Sequence, residues 1–411
     1  MMKTYESTHP WLKFAVDLGK APHEFWVTLG ECQSKIEHIA GVPLRPETAR
    51  NLQTLFLAKG VRATTAIEGN TLTEEEVLAH LDNKLELPPS REYLKQEIDN
   101  IIAACDQIRT EAIEYESAVC TPDRIKAFNR LVLRQLPLNE GVVPGTIPRF
   151  TVAVGRYLAA PRQDCEYLLA KLCDWLNGDD FKPTGELQIG MAIIKAIIAH
   201  LYLAWIHPFG DGNGRTARLV EFDTLLKAGV PAPAAHLLSN HYNLTRDEYY
   251  RQLDYASKSG GDVVRFLMYA VQGLRDGLRE QVNLIREQQR DVAWRSYVHE
   301  LFRDQGGRPA KRQRDLVLDL SRRTDPVSRE ALFALSPRVA GFYRGRSERT
   351  LQRDLAALQS MQLIVEVPGG TKPNGTSGAG YIANKKIIDA FLPPRRQDGM
   401  SGMIRIVDSR F

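Results

Sequence analysis

The sequence predicts a mainly α-helical body followed by a smaller α+β unit with the outline of a winged helix-turn-helix. Three observations carry that expectation. Apolar residues recur at spacings of three and four through about the first 290 residues, the period of a helix buried on one face. Long strand-like runs are scarce in the same stretch. Beyond residue 300 a basic helical segment gives way to a strand, a loop and a returning strand.

A chain of 411 residues exceeds what one hydrophobic core usually supports, so two or three domains are expected. A makeup of 43% hydrophobic and 25% charged residues excludes a disordered or fibrous chain. Cys32, Cys105, Cys120, Cys165 and Cys173 are an odd set with no C-x-x-C pair and no metal-ligand spacing, which reads as a reducing, cytoplasmic setting. The segment Met1–Glu6 lacks the apolar run of a secretory signal, so export is not expected. The formal net charge of +4 is too small to point to nucleic acid, so its distribution matters more than its size.

Taken in order, Leu52, Leu55 and Phe56, then Val77, Leu78 and Leu81, mark two helical faces. Between them Thr73-Glu74-Glu75-Glu76 sets a Thr N-cap and an N3 Glu ahead of Val77. This capping box opens a new helix, so the previous one ends near Gly69 and Asn70. Phe150–Val154, bracketed by Pro148 and Gly155, reads as one arm of a short hairpin, which by itself is a plain surface feature. The apolar run Ile189–Ile206 approaches bilayer-spanning length. It holds Lys195 and His200 and runs into a glycine-rich loop, so it is expected to be a buried helix, and no membrane is implied.

Between Leu301 and Ser360 stand 13 Lys and Arg against 7 Asp and Glu, a net of +6 that leaves −2 for the other 351 residues. Ser347 can cap a helix with Leu351, Leu355 and Leu358 on its apolar face and Arg349 and Arg353 one turn apart on another. Leu363–Val367 reads as a strand, Pro368–Gly380 as a Gly/Pro/Asn-rich loop, and Tyr381-Ile382 as the return. Winged helices bind DNA, dimerise or dock proteins, and basic helix faces are often only solvated. Duplex DNA, met by Arg344, Arg346, Arg349 and Arg353, is therefore one candidate partner and a second copy in a homodimer another.

The segment that bears on chemistry is His207-Pro208-Phe209-Gly210-Asp211-Gly212-Asn213-Gly214-Arg215-Thr216-Ala217-Arg218. It joins the buried run to a helix continued by Leu219, Phe222, Leu225 and Leu226, so it leads into a helix amino terminus. The first N–H groups of a helix lack intrahelical acceptors, and Gly212 and Gly214 let a phosphate approach them. Arg215 and Arg218, three residues apart, can converge on a polyphosphate. Asp211 is a hard carboxylate suited to Mg²⁺, and His207 is a base titrating near neutrality. Asp211 is the other candidate base, but a carboxylate on Mg²⁺ is a poor proton acceptor. Each feature alone has a bland reading: a structural His, a turn, a solvated face. Their occurrence together in this order is what points to a nucleotide site.

Residues His207 to Arg218 resemble the signature of the Fic family, H-P-F-x-D-G-N-G-R-x-x-R, at every specified position, and the likeness covers roughly residues 40–275. The resemblance implies a Fic helical bundle with a small β-hairpin flap. It also implies transfer of AMP from ATP, with Mg²⁺, to a Ser, Thr or Tyr hydroxyl of a protein substrate and of the chain itself. By the same likeness His207 deprotonates the hydroxyl, Asp211 holds Mg²⁺, and Gly212, Asn213, Gly214, Arg215 and Arg218 bind phosphates. Val154-Gly155-Arg156-Tyr157 resembles the family's flap, which holds the target segment by strand addition beside the nucleotide. Pro144-Gly145 and Arg149 resemble the approach to it. Tyr249-Tyr250 resembles an adenine-side pair, core aromatics being the other reading, and Ser257 stands where some relatives carry Asn.

Thr64-Thr65-Ala66-Ile67-Glu68-Gly69 is similar to the family's inhibitory motif, S/T-x-x-x-E-G/N. By that likeness Thr64 opens the motif and Glu68 pairs with Arg218 where the γ-phosphate belongs. Without it, Glu68 reads as a helix-end residue beside its Gly cap. Relatives also remove AMP or move UMP, phosphocholine or phosphate, and these stay open as alternatives. The expected division is a helical region with the inhibitory helix over 1–110, a catalytic core over 111–280, a linker helix over 281–300, a winged-helix-like unit over 301–395 and a tail over 396–411.

Overall fold

The computed structural model describes residues 3–114, 119–155, 157–182, 185–371 and 377–389, so the expected tail over 396–411 lies outside them. The chain divides into two compact units, Met1–Leu284 and Ile285–Phe411.

The first unit is a bundle of α1 (His23–Gly41), α2 (Pro46–Ala66), α3 (Glu74–Leu81), α4 (Glu92–Glu114), α5 (Pro122–Val132), α6 (Arg162–Leu176), α7 (Gln188–Ile206), α8 (Asn213–Lys227), α9 (Leu237–Leu244), α10 (Arg246–Lys258) and the first part of α11 (Val264–Leu301). At its centre α7 is apolar on nearly every side, and Ile193, Ile194, Ile197, Ile198, Leu201 and Ile206 are fully buried. A helix apolar all round has to be covered on all sides, and α1, α6 and α8 pack against it. Each such Ile or Leu gains about 1.5–3 kcal/mol on leaving water. The run is long and apolar enough to cross a bilayer, but here it is the bundle's core. The box at α3 is complete: Thr73 Oγ1 accepts from Glu76 N–H, and Glu76 Oε2 accepts from Thr73 N–H. Ahead of it α2 ends at Ala66, and Gly69 takes a φ of +104°, a region that favours glycine.

The expected hairpin is shorter than Phe150–Val154. Only β1 (Ala153–Val154) pairs antiparallel with β2 (Tyr157–Leu158), with one further bond from Ala159 N–H to Val152 O. Phe150 packs instead beside Gly141 and Gly210, because residues 150 and 151 face no partner strand.

The second unit closes its own core. Trp294 and Val298 of α11 join Leu316, Val317 and Leu320 of α12 (Gly307–Leu320), Val339 and Tyr343 of α13 (Pro337–Tyr343), Leu351, Leu355 and Leu358 of α14 (Glu348–Ser360), and Tyr381. The segment expected as a linker thus supplies core side chains. β3 (Val327–Ser328) pairs antiparallel with β5 (Ser377–Ala383), which pairs in turn with β4 (Ile364–Thr371). Two details depart from expectation. Ser347 stands at the N-cap of α14, but its hydroxyl makes no cap bond. The expected loop Pro368–Gly380 is largely strand, because β4 and β5 continue pairing to Thr371↔Ser377 past an irregularity at Pro368/Gly370. Cross-strand hydrogen bonding outweighs the weak strand propensity of Gly and Pro there.

Candidate active site

The last turn of α7 hands the chain to His207 in the left-handed conformation, φ +50° and ψ +56°, with its N–H bonded to Leu203 O at 3.0 Å. A non-glycine residue is rarely held there, and Pro208 ends the helix. Nδ1 lies 3.3 Å from Ala204 O. A carbonyl only accepts, so the neutral ring keeps its proton on Nδ1 and presents Nε2 as an acceptor. Burial pushes the His207 pKa below its ordinary value, against the opposing pull of the Ala204 hydrogen bond, Glu68 and Asp211.

Phe209, almost wholly buried, anchors the following loop. Asn213 clamps it: Oδ1 accepts from Phe209 N–H at 2.9 Å and Nδ2 donates to Phe209 O at 2.7 Å. The Asn213 side chain is therefore committed to the loop, leaving its backbone N–H for an anion. Gly212 caps α8 at φ +74°. Asn129 on α5 ties this loop to the segment before the hairpin, donating to Asp211 O at 2.9 Å and accepting from Gly145 N–H at 2.8 Å.

The two signature arginines make different contacts. Arg215 reaches Glu97 at 2.8 Å and Asp211 Oδ1 at 3.2 Å, and it is absent from the walls of the cavity that holds His207. Arg218, only 2% exposed, does face that cavity. Its Nη2 donates to Glu68 Oε1 at 2.5 Å and to Thr64 O at 3.0 Å. Thr64 contributes this backbone carbonyl, and its side chain is buried. A Cβ on Gly214 would overlap Glu68 Oε1, so the carboxylate lies against the first turn of α8, where the helix dipole and free N–H groups favour an anion. Burial alone would raise the Glu68 pKa, but Arg218, with Arg215 and His207, holds it below the usual carboxylate value.

Around this one cavity stand Glu68, Tyr157, His207, Gly214, Arg218, Tyr249 and Tyr250. Tyr157 donates to Trp205 O at 2.6 Å. Tyr249 is buried with its hydroxyl 2.8 Å from His200 Nε2, whereas Tyr250 leaves 43% of its surface exposed. Ser257 is on the wall too, its hydroxyl turned to Asp254 O. Gly155 is the exposed turn of the hairpin, Val154 pairs with Tyr157 through its backbone, and Arg156 lies outside the described residues. Asp211 is 45% exposed on its side chain, with Oδ1 taken by Gly212 N–H and Arg215. Sequence reasoning missed Asn129, Glu97 and His200, which no local pattern marks as part of the site.

Residues 94–223 match the Fic/DOC family. The protein adenylyltransferase fic-1 of Caenorhabditis briggsae is 28% identical over 234 residues, 57% of this chain and 42% of that protein. Protein adenylyltransferase Fic of Nematostella vectensis is 27% identical over 206 residues, 50% of this chain and 44% of that protein. The chain thus spans less than half the length of these curated relatives. A solved structure of Fic-1 from C. elegans is similar at 25% identity with a TM-score of 0.51, covering 64% of this chain and 73% of that one.

Proposed function

From the premise that this chain carries a Fic domain, we propose that it transfers AMP from ATP to a protein hydroxyl and is held in check by its own Glu68. The observation that carries the reading is the cavity in which a neutral imidazole, a buried guanidinium and a glycine-opened helix start face one another. The substrate hydroxyl oxygen forms a bond to the α-phosphorus as the bond to pyrophosphate breaks, and His207 Nε2 takes the proton. Arg218 and the N–H groups at the start of α8 hold phosphate oxygens in line, which is most of what phosphoryl-type transfer asks of a protein. Tyr250 offers its open ring to the base.

Among the described residues no group of three or more His, Cys, Asp or Glu could cage a metal. Mg²⁺ needs no such cage: the half-exposed Asp211 supplies one oxygen, and phosphates and waters the rest. Bound there, the ion would offset the charge gathering on the departing pyrophosphate.

Glu68 occupies the anion position of α8 and the donor of Arg218 at once, which leaves the γ-phosphate without a seat. A second reading rests on the same residue. It lines the same cavity as His207 and is suited to orienting water, so removal of AMP is an alternative direction. Five free cysteines suit a reducing compartment, and on that ground we place the chain in the cytoplasm.

Incubation with ATP labelled on the α-phosphorus is expected to label the chain or an added target, and ATP labelled on the γ-phosphorus is not. Label arriving from the γ position, or equal labelling by His207→Ala, would overturn the proposal. Release of AMP from a modified target would establish the reverse direction.

A further inference from the structure

The second unit segregates its charges in a way the net charge alone does not show. Three of its carboxylates, Asp315, Asp319 and Asp354, turn inward. Asp354, on the buried face of α14, receives Arg312 at 2.5 and 2.9 Å and the Tyr343 hydroxyl at 2.7 Å. Asp319 receives Arg338 at 2.7 and 2.9 Å and the Ser336 hydroxyl at 2.5 Å. Asp315 lies beside Arg314 and Arg338. These three acids are at most 5% exposed, so they neutralise the structural arginines and contribute little to the outer surface.

A different set of arginines is left outside. Arg344 and Arg346, in the turn over 344–347, and Arg349 and Arg353, on α14, are all exposed. None has a carboxylate partner among the described residues, and Arg346 bonds only to Phe342 O. On α14 the residues Arg349, Gln352, Arg353 and Ala356 form one outward face opposite Leu351, Leu355 and Leu358. A protein that needed these arginines only for solubility would gain from interspersed acids, and the sequence supplies Glu348 alone on this stretch.

We propose that α13, the turn and α14 bind duplex DNA. The outward face of α14 enters the major groove, and the turn lies on the sugar-phosphate backbone. Two short helices joined by a tight turn, the second packed on a helix and a strand pair, are the geometry in which a recognition helix presents its amino-terminal half to base edges. The residue types agree with that placement. Arg349 and Arg353 can donate in pairs to guanine, Gln352 can pair with adenine, and Ala356 leaves room for a thymine methyl. Arg344 and Arg346 stand where phosphate oxygens would pass. This inference does not depend on the AMP transfer proposed for the first unit.

The test uses the full chain and fluorescent duplexes of about 25 base pairs, first of random sequence and then as selected from a random pool by retention. Anisotropy is expected to report binding at low salt, weakening about 100-fold between 50 and 200 mM salt if four phosphates are contacted. Arg344→Ala with Arg346→Ala should weaken all sequences alike and lower the salt slope by about two. Arg349→Ala with Arg353→Ala should cost about tenfold or more in preference for the selected duplex over random sequence. Removing two exposed lysines elsewhere, Lys20→Ala with Lys182→Ala, should change neither. Arg349→Glu with Arg353→Glu is a second variant that should abolish binding, with thermal melting of every variant confirming the fold. No binding at 50 mM salt, an unchanged affinity and preference in the folded arginine variants, or tighter binding of single-stranded RNA than of duplex DNA would overturn the proposal.

Discussion

The His207 ring, proposed as the base, is set by a backbone conformation and a carbonyl. The left-handed residue turns the ring off the end of α7, and Ala204 O fixes the proton on Nδ1. Burial lowers its pKa, so the base is already neutral at pH 7. Transfer activity, measured on Glu68→Gly, is expected to hold level through pH 7–8 and to fall only below the ordinary imidazole value of about 6.5. That variant loses a carboxylate that holds the pKa up, so its acid limb lies lower still. A midpoint above 6.5 in the pH–rate profile would contradict this. Removing the base with His207→Ala should cost about 100-fold or more in labelling rate. Glu68→Gly frees Arg218 from a charge-assisted bond of about 1.5–3 kcal/mol, so self-modification is expected to rise about 10- to 100-fold over wild type in the same assay.

At the scale of an element, the loop from His207 to the start of α8 is held by side chains that never meet a substrate. Asn213 cross-braces it through both ends of one amide, and Thr216 Oγ1 closes on Gly212 O at 2.8 Å. Asn213→Ala leaves the Phe209 N–H and C=O unpaired in a buried place, a loss of about 2–4 kcal/mol in unfolding free energy. Urea melts should show it, and labelling should fall with it even though no catalytic group was touched. The loop was legible in the sequence because its parts are consecutive: glycines, a proline and a helix start lie within twelve residues. The partner of Arg215 was not legible, because Glu97 lies 118 residues away on α4. Helical spacing puts two arginines near one face, but it does not say which carboxylates the rest of the fold brings to them.

Across the whole molecule, the two units each close a separate core, so a fragment ending at Leu284 is expected to fold and to label itself at the rate of the full chain. Loss of cooperative melting in that fragment would show that the division is not one of stability. The first unit also carries a buried titratable group far from the chemistry: His236 stacks on Phe222, and burial pushes its pKa down to about 4. The unfolded chain therefore takes up a proton near pH 6.5 while the folded chain does not until about 4. Stability is full above 6.5 and drains as pH falls through that window, by about 2 kcal/mol between pH 7 and pH 5. Denaturant melts at the two pH values should show a smaller loss in His236→Phe. By itself the sequence determined the helical body, the capping box and the glycine-rich loop that leads into a helix start, because periodicity, caps and turns are set by neighbours within a few residues. Tertiary structure alone decided that the Glu68 carboxylate lies against Gly214, that Arg215 turns to Glu97, and that Asp315, Asp319 and Asp354 face inward. Such pairings depend on which distant segments share a core, and composition and spacing do not encode that.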